Sequence, residues 1–201
     1  MTSKIAWLPF LLAAAFGLTG CASAPVRYYT LMAPVADTSS ATAPYQIELL
    51  PVGIPEALDR QALVVRQGEA GIVVLDRERW VAPLDEEVRR ALSLQLAARL
   101  GAQDVTGLAR APDQPILRIK VEIRRLDAWL GQQVNLDADW SLGFAESPQR
   151  RSVCHSNISK PTPANDSEAL VKAYQQVLST LAQQIAEAAK ASNGTGRGVC
   201  V

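Results

Sequence analysis

Two stretches of strict alternation between Ile116 and Phe144 constrain the fold of this chain more than any other feature. In the first stretch apolar side chains alternate with charged ones, and in the second they alternate with polar and acidic ones. Gly131 lies between the two stretches, at a predicted turn. Since successive side chains of a strand point to opposite faces of a sheet, the pattern predicts two long strands, each with one buried face.

An irregularity in the first of these strands predicts a β-bulge. After Arg124 and Arg125 the apolar side chains move to the other parity, at Leu126 and Ala128, which is the effect of one inserted residue. The basic outer face of this strand is predicted to pair with the acidic face of the next strand. We interpret these charges as a solvated face rather than a ligand site.

Two amphipathic helices are predicted to cover the sheet. The segment from Pro83 to Leu100 has helical periodicity, with Pro83 suited to the first turn and Gly101 to the C-terminal stop. A second helix is predicted after Asn165 or Asp166 as the N-cap, with Glu168 completing a capping box. The apolar stripe of the first helix consists of Leu84, Val88, Ala91, Leu92, Leu96 and Leu100, and that of the second consists of Leu170, Tyr174, Val177, Leu178, Leu181 and Ile185.

Shorter β-prone segments complete the predicted fold. They lie at residues 27–31, 47–49, 61–67, 71–76 and 150–159, with a hairpin turn at 68–71 and a loop at 33–44. The predicted fold class is therefore α+β, an antiparallel or mixed β-sheet packed against two amphipathic helices.

The N-terminus has the pattern of a secreted protein. Lys4 precedes a 14-residue apolar run from Ile5 to Leu18, which would be roughly 21 Å long as a helix and too short for a membrane span of ~20 residues. The following Leu-Thr-Gly-Cys resembles a bacterial lipobox, which implies cleavage before Cys21, diacylglycerol on its sulfur and a third acyl chain on the new amino terminus. Ala22 in the next position favours the outer membrane. The alternative is a plain signal peptide with a chance cysteine.

These features predict a signal peptide at 1–20, a lipidated N-terminus with a short strand and loop at 21–44, one α+β domain at 45–190 and a flexible tail at 191–201. Removal of the leader from the 201 residues leaves 181, an ordinary size for one domain that can bury a core without a metal.

We find no pattern that predicts catalysis, so we expect a protein that is not an enzyme and uses no cofactor or metal. The single histidine, His155, follows Cys154, and adjacent strand residues face opposite sides, which is a poor arrangement for activating a thiolate. Zinc and haem patterns, phosphate-binding glycine loops and nucleophile elbows are missing from the sequence. The charges balance, with 20 basic and 20 acidic residues and no basic run, which argues against nucleic-acid binding.

Cys154 and Cys200 are the two further cysteines of the mature chain. An oxidising periplasm permits a disulfide between them. Two unpaired thiols are the alternative, and spacing along the chain does not decide between the two.

Three segments resemble one protein family. A lipobox is followed by "YYTL" at 28–31, then by "PVGIPEALDRQALVVRQ" at 51–67, and then by "RWVAPLDEEVRRALSLQL" at 79–96, which is the most specific of the three. Together they resemble the ABC-type transport auxiliary lipoprotein component family (PqiC/YmbA-like). The loop before the last helix departs from the family pattern, and Cys154 and Cys200 are not expected from it.

The resemblance implies a non-catalytic outer-membrane lipoprotein that supports lipid transport and membrane integrity. Its implied partners are a periplasmic MCE-domain protein, the inner-membrane transport component connected to it, and further copies of the chain as a homo-oligomer. Tyr28, Trp80 and Trp129 are candidate exposed anchors for a partner, although for Trp80 we prefer a position in the core. The alternatives are a lipid- or small-ligand-binding periplasmic lipoprotein and a purely structural envelope lipoprotein.

Overall fold

The strands and helices of this computed structural model confirm the α+β fold class. The structure describes residues 24–35, 38–147, 150–195 and 200. The strands are β1 (Arg27–Tyr29), β2 (Gln46–Leu49), β3 (Ala62–Gln67), β4 (Gly71–Trp80), β5 (Ile116–Trp129), β6 (Gln133–Phe144) and β7 (Ser152–Pro161), and the helices are α1 (Leu84–Leu100) and α2 (Ser167–Thr195).

The two alternating stretches form the centre of a four-stranded sheet. The strand order is β2-β5-β6-β7, with β2 parallel to β5 and the other neighbours antiparallel. The register between β5 and β6 shifts between Ile123 and Arg125, which confirms the predicted bulge. Leu126 and Ala128 remain buried beyond the shift, so the bulge keeps the apolar side chains on the core face.

The predicted hairpin at 68–71 belongs to a second, smaller sheet. Its order is β1-β4-β3, with β1 parallel to β4 and β3 antiparallel to β4. Gly68 in the hairpin turn has a φ of 65°, a left-handed value that glycine adopts without a steric penalty. The structure thus divides the predicted strands between two sheets.

Helix α1 begins and ends close to the predicted residues. Pro83 is its N-cap, and Gly101 ends it in the left-handed conformation with a φ of 64°. A Cβ atom at Gly101 would lie 2.0 Å from the carbonyl oxygen of Ala41, so the close approach of the 38–43 loop also requires glycine there.

Helix α2 begins with a cap from Asp166, whose Oδ1 accepts a hydrogen bond of 2.8 Å from the backbone N–H of Ala169. The predicted capping box with Glu168 is wrong. With Asp166 as the cap, Glu168 lies one position too early in the helix, and it accepts a hydrogen bond from Lys172 instead. The helix continues to Thr195, so the tail predicted from residue 191 is helical in its first five residues, which directly follow an alanine-rich part of the helix at 186–191.

The apolar stripes of both helices are buried in one core with the inner faces of the sheets, as predicted. The core also contains a polar chain, in which Trp140 Nε1 donates to Ser156 Oγ at 2.8 Å and Ser156 Oγ donates to Gln184 Oε1 at 2.6 Å. Within the described ranges, none of the helices is both apolar enough and long enough to cross a membrane.

Candidate functional site

The strand nearest the predicted lipid anchor, β1, is held to the domain by an ion pair. Arg27 pairs with Glu78 of β4, and its Nε donates to the Glu78 carboxylate at 3.0 Å. Burial raises the pKa of Glu78, but hydrogen bonds from Arg27 and Tyr29 outweigh burial and hold it below its usual value. The Tyr29 hydroxyl also meets Ser167 at the start of α2, and burial raises the pKa of this hydroxyl.

A buried carboxylate fixes the residues that follow β1. Glu87 of α1 is 1% exposed, and its Oε2 accepts hydrogen bonds of 2.8 Å from both the Thr30 hydroxyl and the Leu31 backbone N–H. The Gln175 side chain donates to the Thr30 carbonyl at 3.1 Å. We call the set formed by Thr30, Leu31, Glu87 and Gln175 the N-terminal clamp.

The clamp was not predicted from the sequence, because Glu87 belongs to the acidic run Asp85 to Glu87, which suits the first turn of a helix without any further role. One signal pointed to it. Glu87 lies three residues after Leu84 and four before Ala91, so it falls on the apolar face of the helix rather than the solvent face.

The three candidate anchor residues occupy different environments. Tyr28 is 60% exposed on β1. Trp129 is half-buried, with its Nε1 3.4 Å from the Gly68 carbonyl oxygen. Trp80 is only 2% exposed and packs edge-to-face on Tyr174, with ring centroids 5.4 Å apart. Trp80 as an exposed anchor is therefore wrong, because its position on the inner face of β4 directs the ring into the core, as the preferred interpretation held.

The outer face of the four-stranded sheet carries charges that neutralise one another. Arg124 Nε donates to Asp139 at 2.8 Å, and His155 Nδ1 lies 2.9 Å from the other oxygen of that carboxylate. The hydrogen bond with Asp139 raises the pKa of His155. The same bond and the Arg124 contact lower the pKa of Asp139.

The predicted pairing of the basic face of β5 with the acidic face of β6 is confirmed for Arg124 and Asp139. It does not extend along the whole of β5. Arg118 lies opposite Gly143 of β6, which offers no charge, and it donates instead to Glu48 of β2 at 2.6 Å. The basic residues of β5 therefore pair with strands on both sides.

A disulfide joins Cys154 of β7 to Cys200, with their Cα atoms 5.5 Å apart. Cys154 is buried and His155 is exposed on the opposite face of the strand, as the alternation predicted. Within the ranges that the structure describes, no group of three or more His, Cys, Asp or Glu side chains is arranged to hold a metal ion. The predicted acylation residue, Cys21, lies outside the described residues.

A shallow cleft of about 200 Å³ lies between β3, β5 and the loop at 55–58. Leu58, Val64 and Ile72 supply apolar surface. Arg66 and Arg125 both pair with Asp127, at 2.8 Å and 2.7 Å. Ligand pockets usually measure about 300–1,000 Å³, so this cleft is smaller than a typical enclosed ligand site.

These features define an α+β domain that offers contact surfaces, with its N-terminal strand clamped in place. Comparison with protein-family models agrees with that description: the model of the ABC-type transport auxiliary lipoprotein component matches residues 29–186. The chain belongs to this family. Family membership makes it a lipoprotein that serves as an auxiliary component of a transport system, which indicates a membrane-anchored periplasmic location.

Solved structures share the fold. A crystal structure of a protein described as uncharacterized has a TM-score of 0.64 at 18% identity, covering 81% of this chain and 97% of that one. The crystal structure of protein XCC0632 from Xanthomonas campestris, of the family DUF330, has a TM-score of 0.62 at 16% identity, covering 79% and 92%. The curated proteins contain no match.

Proposed function

We propose that the protein is a non-catalytic outer-membrane adaptor of an MCE-type, Pqi-like intermembrane lipid transport system. In this role acyl chains on Cys21 hold it in the outer membrane, and the folded domain docks the periplasmic MCE tube. The observation that carries the proposal is the family match, which extends from β1 to the last turns of α2 and so includes almost the whole described domain.

The N-terminal clamp supports this role mechanically. Only five residues separate Cys21 from the first residue of β1, and Glu87 then fixes Thr30 and Leu31 to α1. An anchor connected through so short a link confines the domain to a thin layer at the membrane. Such confinement raises its effective concentration near a tube that spans the periplasm, so that weak contacts suffice for docking.

The lipid-binding alternative receives less support from the described residues. A carrier that shields a phospholipid needs an apolar cavity within the usual range for ligands. The apolar cleft between β3 and β5 has a volume of about 200 Å³, which is below that range. We therefore favour docking over ligand storage.

The test is co-purification of the acylated protein after gentle detergent extraction and cross-linking. We expect an MCE-domain protein among the cross-linked partners and the tagged chain in the outer-membrane fraction. The matched control is Cys21→Ser, which removes the acylation residue and should sharply lower the amount of the chain in the outer-membrane fraction. Intact-mass evidence of an acylated chain without any MCE partner would contradict the adaptor role, and stoichiometric bound phospholipid would favour the alternative.

A further inference from the structure

We propose that the outer face of the three-stranded sheet lies against the phospholipid surface that holds the acyl chains. This inference rests on the acylation of Cys21 in the proposed function. It adds an orientation of the domain and a contact surface, which we call the small-sheet face. The face consists of Tyr28, Ala62, Val64, Arg66, Ile72, Val74 and Arg79.

The register of the small sheet identifies which side chains share this face. Trp80 is buried and lies opposite Tyr29 of β1, so these two residues mark the inner face. The neighbouring pair, Tyr28 and Arg79, therefore points outward, because successive strand residues alternate. Arg79 also lies opposite Ala62 of β3.

The same reasoning applies to the hairpin of β3 and β4. Leu63 and Val65 are buried and mark its inner face. Val64 pairs with Val74, and Arg66 pairs with Ile72, which places these two pairs on the outer face. The pairing of β3 with β4 shifts in register between Ala62 and Leu63. Alternation along β3, from Ala62 to Val64 and Arg66, therefore connects the two halves of the small-sheet face.

The chemistry of this face differs from that of the other solvent-facing sheet. Tyr28 is 60% exposed and Ile72 is 56% exposed, and Val64 and Val74 are half-buried on the same face near Ile72. The basic residues Arg66 and Arg79 interrupt the apolar surface. Apolar side chains beside arginines suit the boundary between lipid headgroups and acyl chains, where tyrosine is also enriched.

The short link to the predicted anchor indicates that the small-sheet face contacts a membrane rather than another protein. Seven peptide units separate Cys21 from Tyr28, and a fully extended chain covers at most about 25 Å over that distance. The exposed tyrosine on β1 therefore stays close to the bilayer for as long as the acyl chains remain inserted. Arg66 already pairs with Asp127 of β5, whereas the Nε of Arg79 donates to the Asp76 backbone carbonyl. Arg79 is therefore the residue of this face whose charge anionic lipid complements.

The test uses the acylated full mature chain in vesicles of phosphatidylethanolamine and phosphatidylglycerol. A small fraction of the lipid carries a photoactivatable group near its headgroup, and mass spectrometry locates the cross-linked residues. We expect adducts in peptides covering 24–32 and 62–80, and none in peptides covering 105–114 or 133–142. Adducts mainly in the latter peptides, or cross-links that join the small-sheet faces of two copies, would overturn the proposal.

A paired set of variants tests the side chains themselves. Tyr28→Ser with Ile72→Ser removes the two exposed apolar groups, and Leu94→Ser with Leu108→Ser is the matched control at positions 40% and 61% exposed elsewhere. Adduct yield should fall about tenfold in the first pair, in line with the area removed from lipid contact, and stay unchanged in the second. Arg79→Gln serves as a milder variant if the first pair folds poorly, and its yield should fall in vesicles containing phosphatidylglycerol.

A second arm separates this inference from the proposed function. Intact mass shows whether Cys21 is acylated, and the Cys21→Ser chain is then sedimented with the same vesicles. Binding of this chain that weakens about tenfold in the Tyr28→Ser, Ile72→Ser background supports the small-sheet face even if acylation fails. If the lipid contacts of the acylated protein do not change with Tyr28→Ser and Ile72→Ser, the inference is wrong, while the adaptor role is unaffected.

Discussion

The edge strands β1 and β7 are attached to the domain in different ways. β1 has three residues and pairs along them with one parallel neighbour, β4. β7 pairs along ten residues with an antiparallel neighbour, β6. The short strand depends on side chains, namely the Arg27–Glu78 ion pair and the N-terminal clamp. The long strand has its own ladder, and the disulfide connects it to Cys200.

The two chain ends therefore take their stability from different interactions. Three ladder positions are too few to hold a strand by backbone hydrogen bonds, so a buried acceptor such as Glu87 becomes essential. In β7 the ladder is sufficient, and the disulfide instead closes a loop that includes all of α2. The first attachment is local and noncovalent, whereas the second acts on the unfolded chain.

The largest expected effect comes from removing the disulfide. Cys154→Ala or Cys200→Ala should lower the free energy of unfolding by about 4 kcal/mol, because a loop with a sequence separation of 46 is no longer closed in the unfolded chain. Denaturant unfolding under oxidising conditions measures the change. The wild-type protein with a reductant is the control and should lose the same amount. A loss below about 1 kcal/mol would show that the bond contributes little beyond the β7 ladder.

The next effect tests the clamp. Glu87→Ala should cost about 2–3 kcal/mol, because the buried Leu31 N–H and the Thr30 hydroxyl lose their charged acceptor. Hydrogen exchange at Leu31 should also become faster, since β1 is less firmly held.

The matched control for the clamp is Glu86→Ala on the same turn of α1. Glu86 pairs with Arg90 on the solvent side at 2.8 Å, and an exposed pair of this type contributes only about 0.3–0.5 kcal/mol. Equal destabilisation by the two variants would contradict the special role of Glu87.

The smallest expected effect is on the pH dependence of stability, which should have opposite signs for Glu78 beside β1 and His155 on β7. Glu78 beside β1 has a lowered pKa, so its contribution is present above its ordinary value of 4.5 and is lost as the pH falls through the folded value. His155 on β7 has a raised pKa, so its contribution is fully present below 6.5 and is lost as the pH rises through the folded value.

Urea unfolding measured from below pH 4.5 to above pH 6.5 gives the change in unfolding free energy with pH for both residues. Glu78→Gln should flatten the dependence on the acid side, and His155→Asn should flatten it above pH 6.5. The His155 effect should be small, because the ring is exposed to water and the interaction is screened. A His155→Asn profile identical to wild type would remove the Asp139 pair from the account of β7.

Local pattern in the sequence was enough to predict most elements and one irregularity. Each of these features depends on residues that lie close together along the chain. They are the hairpin of β5 and β6, its bulge after Ile123, the ends of α1 and the cap at Asp166. Periodicity and capping are read over such short distances, so the sequence alone contains them.

Pairings between distant residues came only from the tertiary structure. Thr30 meets Glu87 across 57 positions, and Cys154 meets Cys200 across 46. The choice of β4 as the partner of β1, the burial of Trp80 and the separation into two sheets are of the same kind.

Most strands and helices, their apolar faces and the resemblance to a lipoprotein family could be predicted from the amino-acid sequence. Which buried polar groups bond to each other, and which sheet face stays apolar and exposed, depends on how distant segments pack in the folded domain. The physical reason is that periodicity is a property of neighbouring residues, whereas burial and hydrogen bonding of a side chain depend on whichever distant segment packs over it.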